Sequence, residues 1–209
     1  MANLKLGPGV VLSVTARLPD LLQRARRLAP WPLIALLCAC ASTTVSVAPS
    51  PQAPLCDRAA SALVLWAPQW RPDQKDVAAR EHAAATGLHA FFDSSDCFRR
   101  VELASASRLT PAEVRRHVAA ATTAFSSVIG IEVLELGPVV KLLSGLALIE
   151  GGTHVVLRII EYSPESLDER RRFVVDWHHG GPGVVQGVES LPSDIQAAVR
   201  AGLQADAPR

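Results

Sequence analysis

Four cysteines, Cys38, Cys40, Cys56 and Cys97, and the adjacent pair His178-His179 are the side chains of this 209-residue chain best suited to chemistry. A cysteine thiolate can take a lipid, a metal ion or another sulfur. Cys56 and Cys97 have no Cys or His two to four residues away, which speaks against a metal site. In an oxidising compartment they are expected to form a disulfide, against the alternative of two separate thiols. The histidine pair, followed by Gly180-Gly181, could bind a metal or act as a base. It would need further ligands from His82, His89, His117, His154 or a carboxylate. No His-Glu-x-x-His spacing occurs, and His82 and His89 stand seven residues apart, too far along a helix to share one ion. The pair reads as a solvated turn, and neither a metal nor a cofactor is expected. Gly-x-Ser-x-Gly is absent, and Trp66-Ala-Pro-Gln-Trp70 stands where a phosphate-binding loop would carry glycines. The carboxylate pairs Asp93/Asp96 and Glu132/Glu135 fall at helix-end and strand positions, which explains them without catalysis. The chain is therefore expected not to be an enzyme. An unrecognised hydrolase using His178 and His179 stays as an alternative.

The remaining cysteines sit in a segment with its own logic. Arg24, Arg26 and Arg27 precede an apolar run over 28–37, interrupted early by Pro30 and Pro32, and then Leu37-Cys38-Ala39-Cys40. A positive region, a short apolar core and a small residue before the cut make a secretory signal. The quartet resembles the lipobox of bacterial lipoproteins. That resemblance implies cleavage before Cys40 and attachment of diacylglycerol and an acyl chain to it. Several chains anchor stably where one binds only marginally. In that family an aspartate after the cysteine favours the inner membrane. Ala41 implies the periplasmic face of the outer membrane instead. A spanning helix, needing about 20 apolar residues, and a plain secretory signal are the alternatives. Residues 1–23 are not required by a signal, so translation is expected to begin downstream of Met1.

Residues 1–39 carry five basic side chains and one acidic one, so removing them leaves 16 basic against 19 acidic residues, a net of −3. That excludes the basic footprint of a nucleic-acid partner. Residues 40–55 are rich in Ser, Thr, Ala and Pro and read as a tether. Residues 56–205 are long enough for one domain with its own core, and 206–209 form a tail.

The elements that must position these residues follow from periodicity and capping. Strands are expected at 61–67, 97–103, 127–136, 154–162 and 171–178, the last two as a hairpin, with an optional sixth strand at 184–188. Asp73 is expected to cap a helix to residue 92, with Val77, Ala84, Leu88 and Phe91 as its apolar stripe. Thr110-Pro111-Ala112-Glu113 is a capping box opening a helix to residue 125. Ser193 is expected to cap a last helix with Ile195, Val199 and Leu203 on one face. Gly137-Pro138, Gly151-Gly152 and residues 180–183 are read as breaks or turns.

The order β-α-β-α-β-β-(β)-α predicts an α/β fold with a mixed sheet of five or six strands and helices packed on it. This order resembles the amino-terminal domain of the translocation protein TolB, and similar domains in periplasmic lipoproteins, over residues 56–205. In this topology Cys56 and Cys97 lie at the same end of two neighbouring parallel strands, within reach of a bridge. Trp66, Trp70 and Arg71 gather after the first strand, where open α/β sheets bind ligands, and Trp66 is equally well placed as core. The apolar segment 139–149, with Leu142, Leu143 and Leu146 and a single charge at Lys141, is either a helix covering a sheet face or an exposed patch. Such a patch would dock a partner, a second copy or a membrane surface. The functional expectation is a non-enzymatic envelope lipoprotein. It is held to the membrane by lipid on Cys40 and binds an envelope protein or itself. An accessory or ligand-binding lipoprotein of a transport system is the alternative.

Overall fold

The computed structural model describes residues 41–143, 148–182, 184 and 186–204, with the backbone alone at 139–143 and 148–150. The signal segment, Cys40, Leu146 and the tail lie outside the described residues. Six strands form one sheet: β1 (Ser42–Ala48), β2 (Asp57–Pro68), β3 (Phe98–Ser105), β4 (Ser127–Leu143), β5 (Leu148–Tyr162) and β6 (Glu169–Pro182). Three helices, α1 (Val77–Ser94), α2 (Pro111–Ala120) and α3 (Leu191–Leu203), pack on it. The strand order is β1-β6-β5-β4-β2-β3. This is the expected mixed α/β sheet.

Strand β2 runs parallel to both β3 and β4, and β4, β5, β6 and β1 follow as an antiparallel meander. The chain moves from β2 outward to β3, then back across β2 to β4. Right-handed crossovers in opposite directions place α1 and α2 on opposite faces. The two cores agree. Ala84, Leu88 and Phe91 of α1, with Ile195 and Val199 of α3, bury against Val64, Ile131, Leu157 and Val175. Val114 of α2 and Leu109 bury against Leu63, Leu65, Val128 and Ile160 on the other face. Alternate residues of β2 thus serve different cores, which is why its sequence is apolar throughout rather than alternating. Each large aliphatic or aromatic side chain buried here contributes about 1.5–3 kcal/mol.

The structure corrects several local readings. Residues 42–48 are not free tether but an edge strand, antiparallel to β6 from Ser42↔Gly180 to Ala48↔Val174. The sixth strand is this one, and no strand forms among the described residues of 184–188. A 3-10 helix over Val188–Ser190 leads directly into α3, whose cap position is Ser190 rather than Ser193. Helix α1 begins after Asp76, held at φ 54°, and Asp73 pairs with Arg71 instead of capping. Helix α2 is capped as expected, Thr110 Oγ1 accepting from the Glu113 amide at 3.2 Å, but it ends at Ala120.

The largest correction concerns 139–149. No helix forms among its described residues. Strand β4 continues through Gly137-Pro138 to Leu143 and β5 begins at Leu148, so the segment is the end of a long hairpin. Past Val133 β4 has lost β2 as a neighbour, and a sheet edge tolerates a proline. The glycines read as turns are strand residues as well: Gly152 pairs with Gly180 and Gly151 with Gly181. A Cβ on Gly180 would lie 2.3 Å from the Gly151 carbonyl oxygen and one on Gly152 2.4 Å from that of His179. Glycine is needed there for close approach of two backbones, not for a bend.

Candidate functional site

At the carboxyl ends of β2 and β3 the sheet opens into a cleft of about 610 Å³ lined by Trp66, Pro68, Glu81, Ser105, Ala106 and Ser107. The connections that leave β2 and β4 run in opposite directions, so the switch point of the sheet, the usual ligand position in open α/β folds, lies between those two strands, and the cleft opens on the other side of β2, beside β3. The Ala106 amide donates to the Trp66 carbonyl at 2.8 Å and extends the β2–β3 contact to the lip of the cleft. Trp66 is 7% exposed and belongs to the core. Trp70 packs on that core, and its indole Nε1 donates to Glu81 Oε1 at 3.1 Å. Arg71 stands outside the cleft, paired with Asp73 at 3.6 Å and Glu135 at 3.4 Å. The expected trio is therefore split: Trp66 lines the cleft, Trp70 orients its carboxylate Glu81, and Arg71 braces β4. A smaller, more polar depression of about 420 Å³ lies along β3, between Ser61, Arg99 and Arg100. It is remote from the switch point and holds exposed arginines.

Glu81, Ser105 and Ser107 carry no sequence signal of their own. They were findable only by setting the ends of β2 and β3 side by side. Arg80 did leave a signal, since it falls on the apolar stripe of α1 between Val77 and Ala84. Its side chain is buried. Nε donates to the Lys75 carbonyl at 2.8 Å, Nη1 donates to the Leu136 carbonyl, and Glu135 Oε1 lies 4.0 Å away. The guanidinium occupies the space over Gly137, where a Cβ would collide with it. Arg80 thus ties the start of α1 to β4 just where β4 leaves β2.

The histidines do not converge. Neighbouring strand residues face opposite ways, so His178 and His179 of β6 part company. His179 Nδ1 lies 2.7 Å from Thr43 Oγ1 and its ring stacks on Trp177 at 5.8 Å. His178 lies opposite His154, with ring centroids 6.4 Å apart, and His154 Nε2 lies 2.9 Å from Asp176 Oδ1. His117 pairs with Glu113 at 3.5 Å, and His82 and His89 are exposed on α1. Among the described residues no group of three His, Cys, Asp or Glu gathers to hold a metal ion. Of the carboxylate pairs, Glu132 binds Arg158, Glu135 binds Arg71 and Arg80, and Asp96 lies 3.9 Å from Arg58. Tyr162 is pushed up to about 12, chiefly by burial and then by the charges of Glu132 and Glu169.

Cys56 and Cys97 are bonded, S–S 2.01 Å with Cα atoms 4.5 Å apart, at the amino ends of β2 and β3. That is the end of the sheet opposite the cleft. Leu142 and Leu143 lie in the last residue pairs of β4 with β5, opposite Ile149 and Leu148. No helix among the described residues is long and apolar enough to cross a membrane.

No protein-family model matches this chain, and no curated protein matches it. Solved structures do. PelC, a dodecamer from Paraburkholderia phytofirmans, is 15% identical over 78% of this chain and 98% of its own, with a TM-score of 0.43. A neuraminyllactose-binding hemagglutinin homolog from Helicobacter pylori is 11% identical over 77% and 92%, TM-score 0.40. A lipoprotein from Neisseria meningitidis is 13% identical over 68% and 96%, TM-score 0.35. At these identities and scores the likenesses carry no functional argument.

Proposed function

We propose that this protein is a lipid-anchored, non-enzymatic envelope protein on the periplasmic face of the outer membrane, binding a protein partner or assembly. The observation that carries the reading is the position of Cys40. It closes a lipobox-like signal and stands two residues before β1, the first strand of a disulfide-bonded domain. A structural disulfide suits an oxidising compartment. Among the described residues both outer strands, β1 and β3, present an unpaired edge, and such edges recruit an added strand from a partner. The test is Cys40→Ser in the full chain. Membrane fractionation should show release from the envelope, and acyl labelling should disappear. Continued lipid labelling of that variant would overturn the reading.

The cleft favours a second reading, a ligand-binding accessory of a transport system. Its apolar wall at Trp66, with Glu81 and two serines, suits a small ligand bearing hydroxyl or amino groups. Native mass spectrometry of the protein isolated from its own envelope should then show an added small mass that Glu81→Ala removes. An unliganded mass throughout would leave the cleft as packing alone.

A further inference from the structure

We propose that the depression between Ser61, Arg99 and Arg100 is a binding site for the phosphate group of a phosphate monoester. The proposal stands apart from the anchor and from the cleft, which lies toward the other end of the same two strands. Register brings the groups together. Ser61 of β2 pairs with Arg100 of β3, so the two residues share a row and a face of the sheet. Arg99 Nη2 donates to Ser61 Oγ at 3.2 Å. Ser126 braces Ser61: its amide donates to the Ser61 carbonyl at 2.9 Å, and its Oγ accepts from the Ser61 amide at 3.1 Å. Cys97, two residues before Arg99, is bonded to Cys56, so the start of β3 is fixed beside β2 before any ligand arrives. Binding groups held in advance lose less freedom when the ligand comes.

The donors here are unspent. Among the described residues neither Arg99 nor Arg100 forms an ion pair with a carboxylate. Asp96 lies 3.9 Å from Arg58, Asp57 accepts from the Ala59 amide, and Glu102 stands two residues beyond Arg100 on β3, about 7 Å along the strand. The Ser61 hydroxyl accepts from Arg99, and its own proton has no acceptor among the described residues. Charge is segregated in the same sense. Residues 97–126 hold five arginines against Glu102 and Glu113, a net of +3, whereas the rest of the chain from Cys40 onward comes to −6. An anion is drawn to such a stretch. The donor set then selects among anions. A carboxylate fills one guanidinium fork and leaves the second unneutralised. A phosphate monoester carries nearly two negative charges and three acceptor oxygens, enough for both guanidinium groups and the hydroxyl. The volume of about 420 Å³ leaves room for the group to which the phosphate is esterified.

The test titrates the full chain, purified in an uncharged detergent, with glucose phosphate and separately with glycerol phosphate. The first is a soluble ester and the second the deacylated headgroup of phosphatidic acid. Phosphorus NMR line broadening reads the binding, at low ionic strength where exposed guanidinium groups are least screened. Arg99→Ala and Arg100→Ala should each weaken binding about tenfold, the loss of one hydrogen bond to a charged group. Both side chains are exposed, so these variants keep the fold. Arg108→Ala with Arg115→Ala removes two exposed arginines elsewhere in the same stretch and should leave binding within about twofold. Tighter binding of glycerol phosphate assigns the site to a lipid headgroup, and tighter binding of glucose phosphate assigns it to a soluble ester; either supports the site. No broadening at millimolar ester overturns the proposal. Equal losses from both pairs of arginines also overturn it, since a diffuse positive field would then account for the binding. Acetate displacing the ester at equal concentration overturns the choice of phosphate.

Discussion

Strand β5 carries a hairpin at each end, and the two are opposites. The β4–β5 end, residues 139–149, has one charged side chain. The β5–β6 turn and its flanks hold Glu165, Asp168, Glu169, Arg170, Arg171 and Arg172. The charged turn is closed by its own polar groups. The Leu167 amide donates to the Ser163 carbonyl and the Ser163 amide to the Asp168 carbonyl, both at 2.8 Å. The Glu165 carboxyl is held below the usual carboxylate range by its own backbone amide, the Ser163 hydroxyl and Arg170. Arg171 reaches to Glu161 and to the Ala53 carbonyl, both at 2.7 Å, fastening the 49–56 connection to β6. The same end holds the disulfide, while the other holds the cleft and the chain toward Cys40. At this pole the turn is satisfied internally. At the other, Arg80 ties the start of α1 to β4.

The comparison breaks most visibly at the covalent end. Cys56→Ser with Cys97→Ser opens a loop with a sequence separation of 41 residues, and a loop of that size costs about 4 kcal/mol in the chain-entropy account. Urea unfolding with and without reductant measures it. A wild-type midpoint indifferent to reductant would show that this pole does not need its bond. At the other pole Arg80→Ala should cost about 3 kcal/mol, because the Leu136 carbonyl and Glu135 lose a buried partner. Hydrogen exchange should quicken in β4 beyond Val133 while amides near Cys97 keep their protection. Uniform quickening would mean that the two ends are not separable. A third effect is pH-dependent and belongs to the charged pole. The folded-state value for Tyr162 lies above the unfolded value of 10. Its contribution is therefore complete below pH 10 and is lost as pH rises through about 12. Tyr162→Phe should flatten that decline, and an unchanged profile would assign it elsewhere. The smallest effect is expected from Glu165→Gln with Arg170→Gln. Their pairing at 3.7 Å is solvent-exposed, so the urea midpoint should stay where it was.

What the sequence disclosed depended on how local each signal was. Thr110-Pro111 announced α2 because a cap and a first-turn proline act within one turn. The parallel strands were readable from apolar runs, and with them the switch point and the approach of Cys56 to Cys97. The β1 strand was not. Its partners on β6 lie more than 125 residues away, and prolines from Pro49 onward gave its neighbourhood the composition of a linker. Gly151-Gly152 and Gly180-Gly181 misled for a related reason. Each pair alone suggests a turn, and only the pairing of one with the other explains both. The hairpin end was recognised as anomalous but given the wrong structure, since a short apolar run fits helix and strand equally well. In the cleft, Trp66 was placed where it lies, whereas Glu81 and the serines became visible only once two distant strand ends stood side by side.

The Cys56–Cys97 bond has a consequence for how copies of this protein could entangle. An outer strand can leave one molecule and complete the sheet of another. The bond closes β2 and α1 into a covalent ring and ties the residue before β3 to the residue before β2, so the start of β3 stays fastened beside β2 while the sulfurs stay joined. β1, at the opposite edge, pairs with β6 alone, with Val47 packed on the core, and no disulfide fastens it. Under oxidising conditions, any exchange of an edge strand between molecules is confined to β1 and begins beside the residue proposed to carry the lipid.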